Sequence, residues 1–125
     1  MEKLPKRVLD AWEQREPAVV FTTVNGEGIP NSIYATCVGL YQESEIVIAN
    51  NYFQKTFENI QQGSKATVLF ITKEGKSFQI KGELEYHTEG SYYSFMKTWN
   101  PSKHPGHGAA VLKVSEIFSG KEKLL

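Results

Sequence analysis

A single cysteine, Cys37, occurs in the chain. A disulfide within the chain is therefore excluded, and a reducing compartment is the expected setting. An excess of charge of either sign is also missing: 14 lysines and arginines stand against 14 aspartates and glutamates. That balance removes the bulk attraction to phosphate backbones on which non-specific nucleic-acid binding rests, so no nucleic-acid partner is expected. A local anion site remains allowed. No apolar run approaches the ~20 residues of a membrane-spanning helix, so no membrane association is expected. Residues 1–7 are charged and hold no apolar stretch of the kind a secretory leader needs. The expectation is a soluble, cytoplasmic protein. There is no βαβ rhythm and no Gly-x-Gly-x-x-Gly, which disfavours a Rossmann dinucleotide site. Internal repeats and low-complexity segments are absent as well.

What is present is a globular composition. With 125 residues, of which 40% are hydrophobic, the chain suits one domain, 1–125, with one core. Leu4, Val8, Leu9 and Trp12 recur at helical spacing, and Pro17 ends that helix because it disfavours helix in the residue before it. Residues 18–24 are rich in β-branched and aromatic side chains and read as a strand. Asn25-Gly26 signals a turn, both residues tolerating positive φ. Residues 29–41 read as one long strand bent around Gly39, and 45–49 as a short buried strand after a turn at 42–44. A short helix over 56–62 follows, with Gly63 placed to cap it and Phe57 and Ile60 facing inward. Strands over 65–72 and 77–87 flank a charged hairpin turn. In the second of them Phe78, Ile80, Leu84 and Tyr86 share a face, and Gly82 marks a bend or a close approach. Residues 90–99 read as a helix, 100–108 as a loop, and 109–118 as a final strand before a frayed tail. The fold class expected is mainly β with minor α: a six-stranded antiparallel barrel with short helices.

One constellation carries chemistry. A buried strand runs out at Ala49, Asn50 and Asn51, and Lys55 and Thr56 follow where a helix begins. Helix N-termini present free N–H groups and a partial positive charge; an ammonium and a hydroxyl there make a phosphate cradle. The competing reading makes Thr56 a helix cap and Lys55 a solvated charge, and local features favour it.

The order of four stretches shifts the balance. A strand leads to Gly28-Ile29-Pro30 and a second strand. An apolar strand then leads to Lys-Thr-x-x-Asn (Lys55, Thr56, Asn59), and a strand carries Phe-x-Ile-x-Gly (Phe78, Ile80, Gly82). With the final strand, this layout over residues 8–118 resembles the pyridoxamine 5′-phosphate oxidase-like split barrels that bind FMN, and among them the small FMN-binding proteins. The resemblance implies a split β-barrel, FMN as cofactor and a homodimer with the flavin at its interface. It implies that Lys55 and Thr56 hold the FMN phosphate and that Asn59 supports their turn. It further implies that Tyr34, Ala35 and Thr36 line the isoalloxazine ring, and that the backbone of Ala49, Asn50 and Asn51 reaches the ring and ribityl chain. Tyr92, Tyr93, Phe95 and Trp99 could cover a partner's flavin, pack their helix on the barrel, or do both, since the two are not exclusive; packing is the commoner fate of helically spaced aromatics.

Two departures matter. Gln54 stands where the fuller enzymes carry arginine before the lysine. The C-terminal arginine–histidine substrate motif of the true oxidase is not recognisable, so pyridoxamine phosphate oxidation is not expected. The function expected is an FMN-dependent oxidoreductase, taking electrons or hydride from a nicotinamide or small-molecule redox substrate. The alternatives are a non-catalytic FMN electron-transfer protein, or a relative binding haem or a deazaflavin. No catalytic residue is identified. His104 and His107 are three apart but lack a third ligand, so no metal site is expected and a flexible loop near the flavin is preferred. Cys37 reads as a buried, small apolar residue.

Overall fold

The computed structural model of the chain describes residues 2–125; Met1 lies outside the described residues. The elements run α1 (Lys6–Glu13), β1 (Val19–Val24), β2 (Pro30–Ala35), β3 (Val38–Tyr41), β4 (Glu45–Asn50), α2 (Lys55–Gln61), β5 (Lys65–Ile71), β6 (Ser77–His87), α3 (Ser91–Trp99), β7 (Gly108–Ser119) and β8 (Glu122–Lys123). The strands form one 8-stranded sheet in the order β2-β1-β5-β6-β7-β4-β3, with β8 on β7. Every pairing is antiparallel. The two edges of the path, β2 and β3, are consecutive in sequence and are separated only by Thr36 and Cys37. Laid flat, such a path would span about 29 Å at the usual strand spacing. The three Cα steps from Ala35 to Val38 reach at most about 11 Å. The sheet must therefore curl until its edges meet, and the class is the expected antiparallel, split-barrel β fold with short helices.

Two expectations about the strands are corrected. Residues 29–41 are two strands, not one, and the bend is not at Gly39. Ile33 and Ala35 pack into the main core, and so do Val38 and Leu40. That is a slip of one residue in the two-residue alternation, and the chain changes sheet edge at the slip. Gly39 has another use: a Cβ there would lie 2.9 Å from the Trp99 indole, so glycine makes room for α3. The tail is not frayed. It turns back as β8, Leu124 and Leu125 share backbone hydrogen bonds with Ile117, and Leu124 packs on the core. The count rises from six strands to eight because the long strand divides and the tail pairs.

The turns follow local chemistry. At the β1–β2 turn positive φ falls on Gly28 rather than on Asn25 or Gly26. Asn25 instead accepts from the N–H groups of Glu27 and Ile29 through Oδ1, each at 2.9 Å, an Asx turn. Gly63 ends α2 at φ 83. Its N–H donates to the Ile60 carbonyl, and that of Ser64 to the Asn59 carbonyl, the paired bonds of a Schellman stop. At Gly82 the β6–β7 register shifts. A Cβ there would run into the Lys113 carbonyl oxygen, so this is the close approach expected.

The interior holds two apolar clusters. The larger fills the curl with Phe21, Ile46, Ile48, Val68, Phe70, Ile80, Leu112 and Ile117, and α1 contributes Val8, Ala11 and Trp12. The smaller lies outside the sheet, where Met96 and the aromatics of α3 pack on Val47, Ala49, Ala109 and Val111. The α3 stripe therefore packs its own helix. Strand β4, sandwiched between the two clusters, is buried along its whole length. Among the described residues no helix is long and apolar enough to cross a membrane.

A partly buried ion pair ties this second layer together. Glu45 faces Lys113 across β4 and β7 and pairs with its ammonium. The Tyr92 hydroxyl of α3 donates to Glu45 at 2.8 Å and accepts from Lys113 at 2.8 Å. Those contacts hold the Lys113 ammonium well above its ordinary range against the opposing effect of burial. Replacing Lys113 by Met strands a carboxylate only 3% exposed, and a loss of about 3 kcal/mol is expected in urea unfolding. The double variant K113M/E45L should lose less than K113M alone. Nearby, a hydrogen bond with His87 holds the Glu85 carboxyl below its ordinary value, with Lys113 assisting and partial burial opposing. A depressed carboxyl stabilises the fold above its unfolded pKa of about 4.3 and ceases to do so as pH falls through the folded value. The Tm advantage of the native chain over E85Q should accordingly be full above about pH 5 and shrink towards pH 3.

Candidate functional site

The point where the sheet changes edge is also where a cleft opens. The β2–β3 crossover supplies Tyr34, Ala35, Thr36 and Cys37, and the end of β4 supplies Ala49 and Asn51. Tyr52, Phe53, Ile33 and His104 complete the wall of a cleft of about 310 Å³. The crossover is bonded to β4 there, since the Ala49 N–H donates to the Cys37 carbonyl at 3.0 Å. The lining is apolar or neutral: two alanines, aromatic rings, a threonine, an amide and a thiol, with His104 as the one side chain able to carry positive charge. Tyr34 is 79% exposed and Tyr52 70%, so both rings stand at the rim.

A second, polar cleft of about 440 Å³ lies at the other end of β2, lined by Asn25, Pro30, Asn31, Lys55, Glu58 and Gln62 among others. Lys55 opens α2, and its Nζ lies 3.6 Å from Glu58 Oε1 with both side chains well exposed. Such a pair is worth little and leaves the ammonium available. Thr56 does not cap the helix: the N-cap position is Gln54, with no side-chain cap bond. The Thr56 hydroxyl is buried and accepts from Asn31 Nδ2 at 3.2 Å. Asn59 donates to the Thr23 hydroxyl at 3.0 Å and is buried, which ties α2 to β1.

Of the expected site residues, then, Tyr34, Ala35, Thr36, Ala49 and Asn51 meet in one cleft, and Lys55 borders the other. Thr56 and Asn50 line neither. Asn50 turns inward, donating to the Tyr86 hydroxyl at 2.8 Å and accepting from the Phe53 N–H at 3.0 Å. It thereby shapes the turn that carries Tyr52 and Phe53. Sequence reasoning missed Asn31, Tyr52, Phe53 and Cys37 as lining residues. Cys37 is half-buried at the crossover rather than inside a strand. The alternation slip between Ala35 and Val38 was the signal that would have placed it there.

The loop over 100–107 is pinned to the cleft by a knot of amides. Asn51 and Asn100 exchange two side-chain hydrogen bonds at 2.9 Å each, both residues being buried. Asn51 Oδ1 also accepts from the Gly106 N–H at 2.9 Å, and the Asn50 carbonyl accepts from the His107 N–H. Lys97 of α3 donates to the Pro105 carbonyl at 3.1 Å. His104 is thus carried on a fixed loop, its Nδ1 3.0 Å from the Tyr52 hydroxyl. Among the described residues no group of three His, Cys, Asp or Glu side chains is placed to hold a metal ion. Another groove, about 460 Å³, runs over the outer face of the sheet past Thr22, Thr67 and Lys81 and contains none of the expected site residues. Asn100→Ala leaves the buried Asn51 Nδ2 group without its acceptor, and a loss of about 1–3 kcal/mol is expected in chemical denaturation. A variant as stable as the native chain would contradict the knot.

Comparison with known proteins gives consistent results. A family model described as pyridoxamine 5′-phosphate oxidase matches residues 5–119. An uncharacterized protein of Methanocaldococcus jannaschii is 29% identical over 125 residues, 95% of this chain and 82% of that one. The solved structure of HupZ from group A Streptococcus superposes with a TM-score of 0.81 at 22% identity, over 97% of each chain. An FMN-binding protein from Syntrophomonas wolfei superposes with a TM-score of 0.76 at 18% identity, over 90% of this chain and 83% of that one. The two structures share the fold, and the sequence match takes in every element from α1 to β7: this chain belongs to the pyridoxamine 5′-phosphate oxidase family.

Proposed function

We propose that this protein binds FMN in the crossover cleft and works as an FMN-dependent oxidoreductase. The carrying observation is that Tyr34, Ala35 and Thr36 meet Ala49 and Asn51 there, although the two groups lie on separate strands. The lining suits a flavin ring: small side chains at Ala35 and Ala49 leave room for a flat ring, Tyr34 offers an aromatic face, and Thr36 offers a hydroxyl to its edge. Lys55 supplies the ammonium for the phosphate, and Thr56 fixes Asn31 beside it. When bound, the flavin supplies the transfer of electrons or hydride, and the protein's part is to orient it and tune its surroundings. No strong acid or base is required of the chain, in keeping with the uncharged walls. The electron donor we propose is a reduced nicotinamide or another small molecule.

A homodimer belongs to the same reading. Tyr34 is paired with Val20, and Val20 with Leu69. Tyr34 at 79%, Leu69 at 42% and Ile71 at 43% exposure form an apolar stretch across neighbouring strands. A second copy laid on it would bury this stretch and wall the cleft at Tyr34.

The purified protein should show flavin absorption near ~370 and ~450 nm and release FMN on heating. Sustained oxidation of a reduced nicotinamide marks an enzyme, whereas slow, non-saturable reduction leaves an electron-transfer protein. A Soret band would replace the flavin reading with a haem one. Lys55→Ala should weaken FMN binding by about 1–3 kcal/mol in a fluorescence titration, and unchanged affinity would remove Lys55 from the site.

A further inference from the structure

The crossover cleft is electrically neutral except at one place. Its walls hold no aspartate, glutamate, lysine or arginine; the titratable side chains on them are Tyr34, Cys37, Tyr52 and His104. Of these only the imidazole can become a cation, and histidine is the side chain that ordinarily does so between about pH 5 and 8.

The placement of that imidazole is built rather than incidental. The Asn51–Asn100 amide exchange and the Gly106 N–H on Asn51 fix both ends of its loop in buried contacts. The His104 N–H closes a turn onto the Pro101 carbonyl at 3.0 Å. Tyr52 meets the ring edge-on with centroids 5.5 Å apart, and its hydroxyl lies 3.0 Å from Nδ1. A hydroxyl both donates and accepts. It can donate to Nδ1 of the neutral ring or accept from Nδ1–H of the cation, so the ring gains or loses its proton without losing its place. In either state Nε2 carries a hydrogen that Tyr52 does not use. The other charged groups packed around the loop are otherwise engaged or outside the cleft. Lys97 is bonded to the Pro105 carbonyl, and neither Lys103 nor His107 lines the cleft wall.

We propose that His104 recognises an anionic group on a second ligand of this cleft, and that the ligand is a small planar organic anion of the aromatic-carboxylate kind. The rings of Tyr34, Tyr52 and Phe53 select a flat, apolar body, and the imidazolium supplies a charge-assisted hydrogen bond to its carboxylate. Calling that anion a substrate rests on the flavin reading; the anion site stands on the cleft alone. His104 touches the ligand, while Tyr52 and the amide knot position it.

The test uses benzoate as the probe, titrated calorimetrically into the full chain at pH 5.5 and pH 8.0, with and without saturating FMN. Benzoate should bind the native protein at least about fivefold more tightly at pH 5.5, as expected when the protonated ring pairs with the anion through a charge-assisted bond and the neutral ring only through a weaker one. His104→Gln should lose that pH dependence while keeping its Tm. His107→Gln, altered outside the cleft, should keep the dependence. Tyr52→Phe should bind benzoate about threefold more weakly at pH 5.5 through looser placement of the ring. An unchanged pH dependence in H104Q, or no benzoate binding at pH 5.5, overturns the proposal. FMN bound without pH-dependent benzoate binding removes this inference and leaves the flavin reading. Benzoate bound with the expected dependence in a protein that takes up no FMN does the reverse.

Discussion

A path of strands whose first and last members follow one another in the chain cannot lie flat, and most of this molecule's architecture answers to that closure. Two residues, Thr36 and Cys37, join opposite edges of the sheet. The curl they enforce gives a concave inner face, which the large side chains of β1, β4, β5, β6 and β7 fill. It also sets the crossover against the end of β4, where the Cys37 carbonyl takes the Ala49 N–H. A chain passing from one edge to another cannot keep both faces covered by neighbouring strands, so a cleft opens where the sheet divides. The candidate ligand site is thus a consequence of the topology rather than an addition to it.

The second layer depends on the first. Because β4 is covered on both faces, its outer side chains need a partner, and α3 provides it with Met96, Tyr92, Phe95 and Trp99. Burial of the Glu45–Lys113 pair beneath Tyr92 pins one end of that helix. Asn100, immediately after its other end, locks onto Asn51. The helix is therefore a strut between an ion pair at one end of β4 and an amide knot at the other. The knot fixes the loop that carries His104, so the composition of the cleft wall is coupled to the docking of α3.

Much of this was legible from residues alone. The inward phase of Phe78, Ile80, Leu84 and Tyr86, the close approach at Gly82 and the helix stop at Gly63 each have a local physical cause. So the sequence pattern reports them directly. The division of residues 29–41 was written in the alternation, since Val38 and Leu40 are out of phase with Ile33 and Ala35, but a run of strand-forming side chains masks a slip of one residue. Other features had no local signal. Asn51 and Asn100 are 49 residues apart, and nothing in either neighbourhood marks them as partners. β8 is two residues long and exists only because Ile117 offers backbone groups to the returning tail. Thr56 looked like a cap because it stands at a helix start, yet Asn31 of β2, brought alongside by the fold, takes its hydroxyl instead.

The most direct test of the central claim, that the crossover cleft is the cofactor site, is to follow the backbone amide resonances of the full chain as FMN is added. The account predicts shifts concentrated at Tyr34–Cys37 and Ala49–Phe53, with a second set around Lys55 and Asn31. Shifts confined to the outer groove at Thr22, Thr67 and Lys81, or no response at saturating FMN, would contradict it.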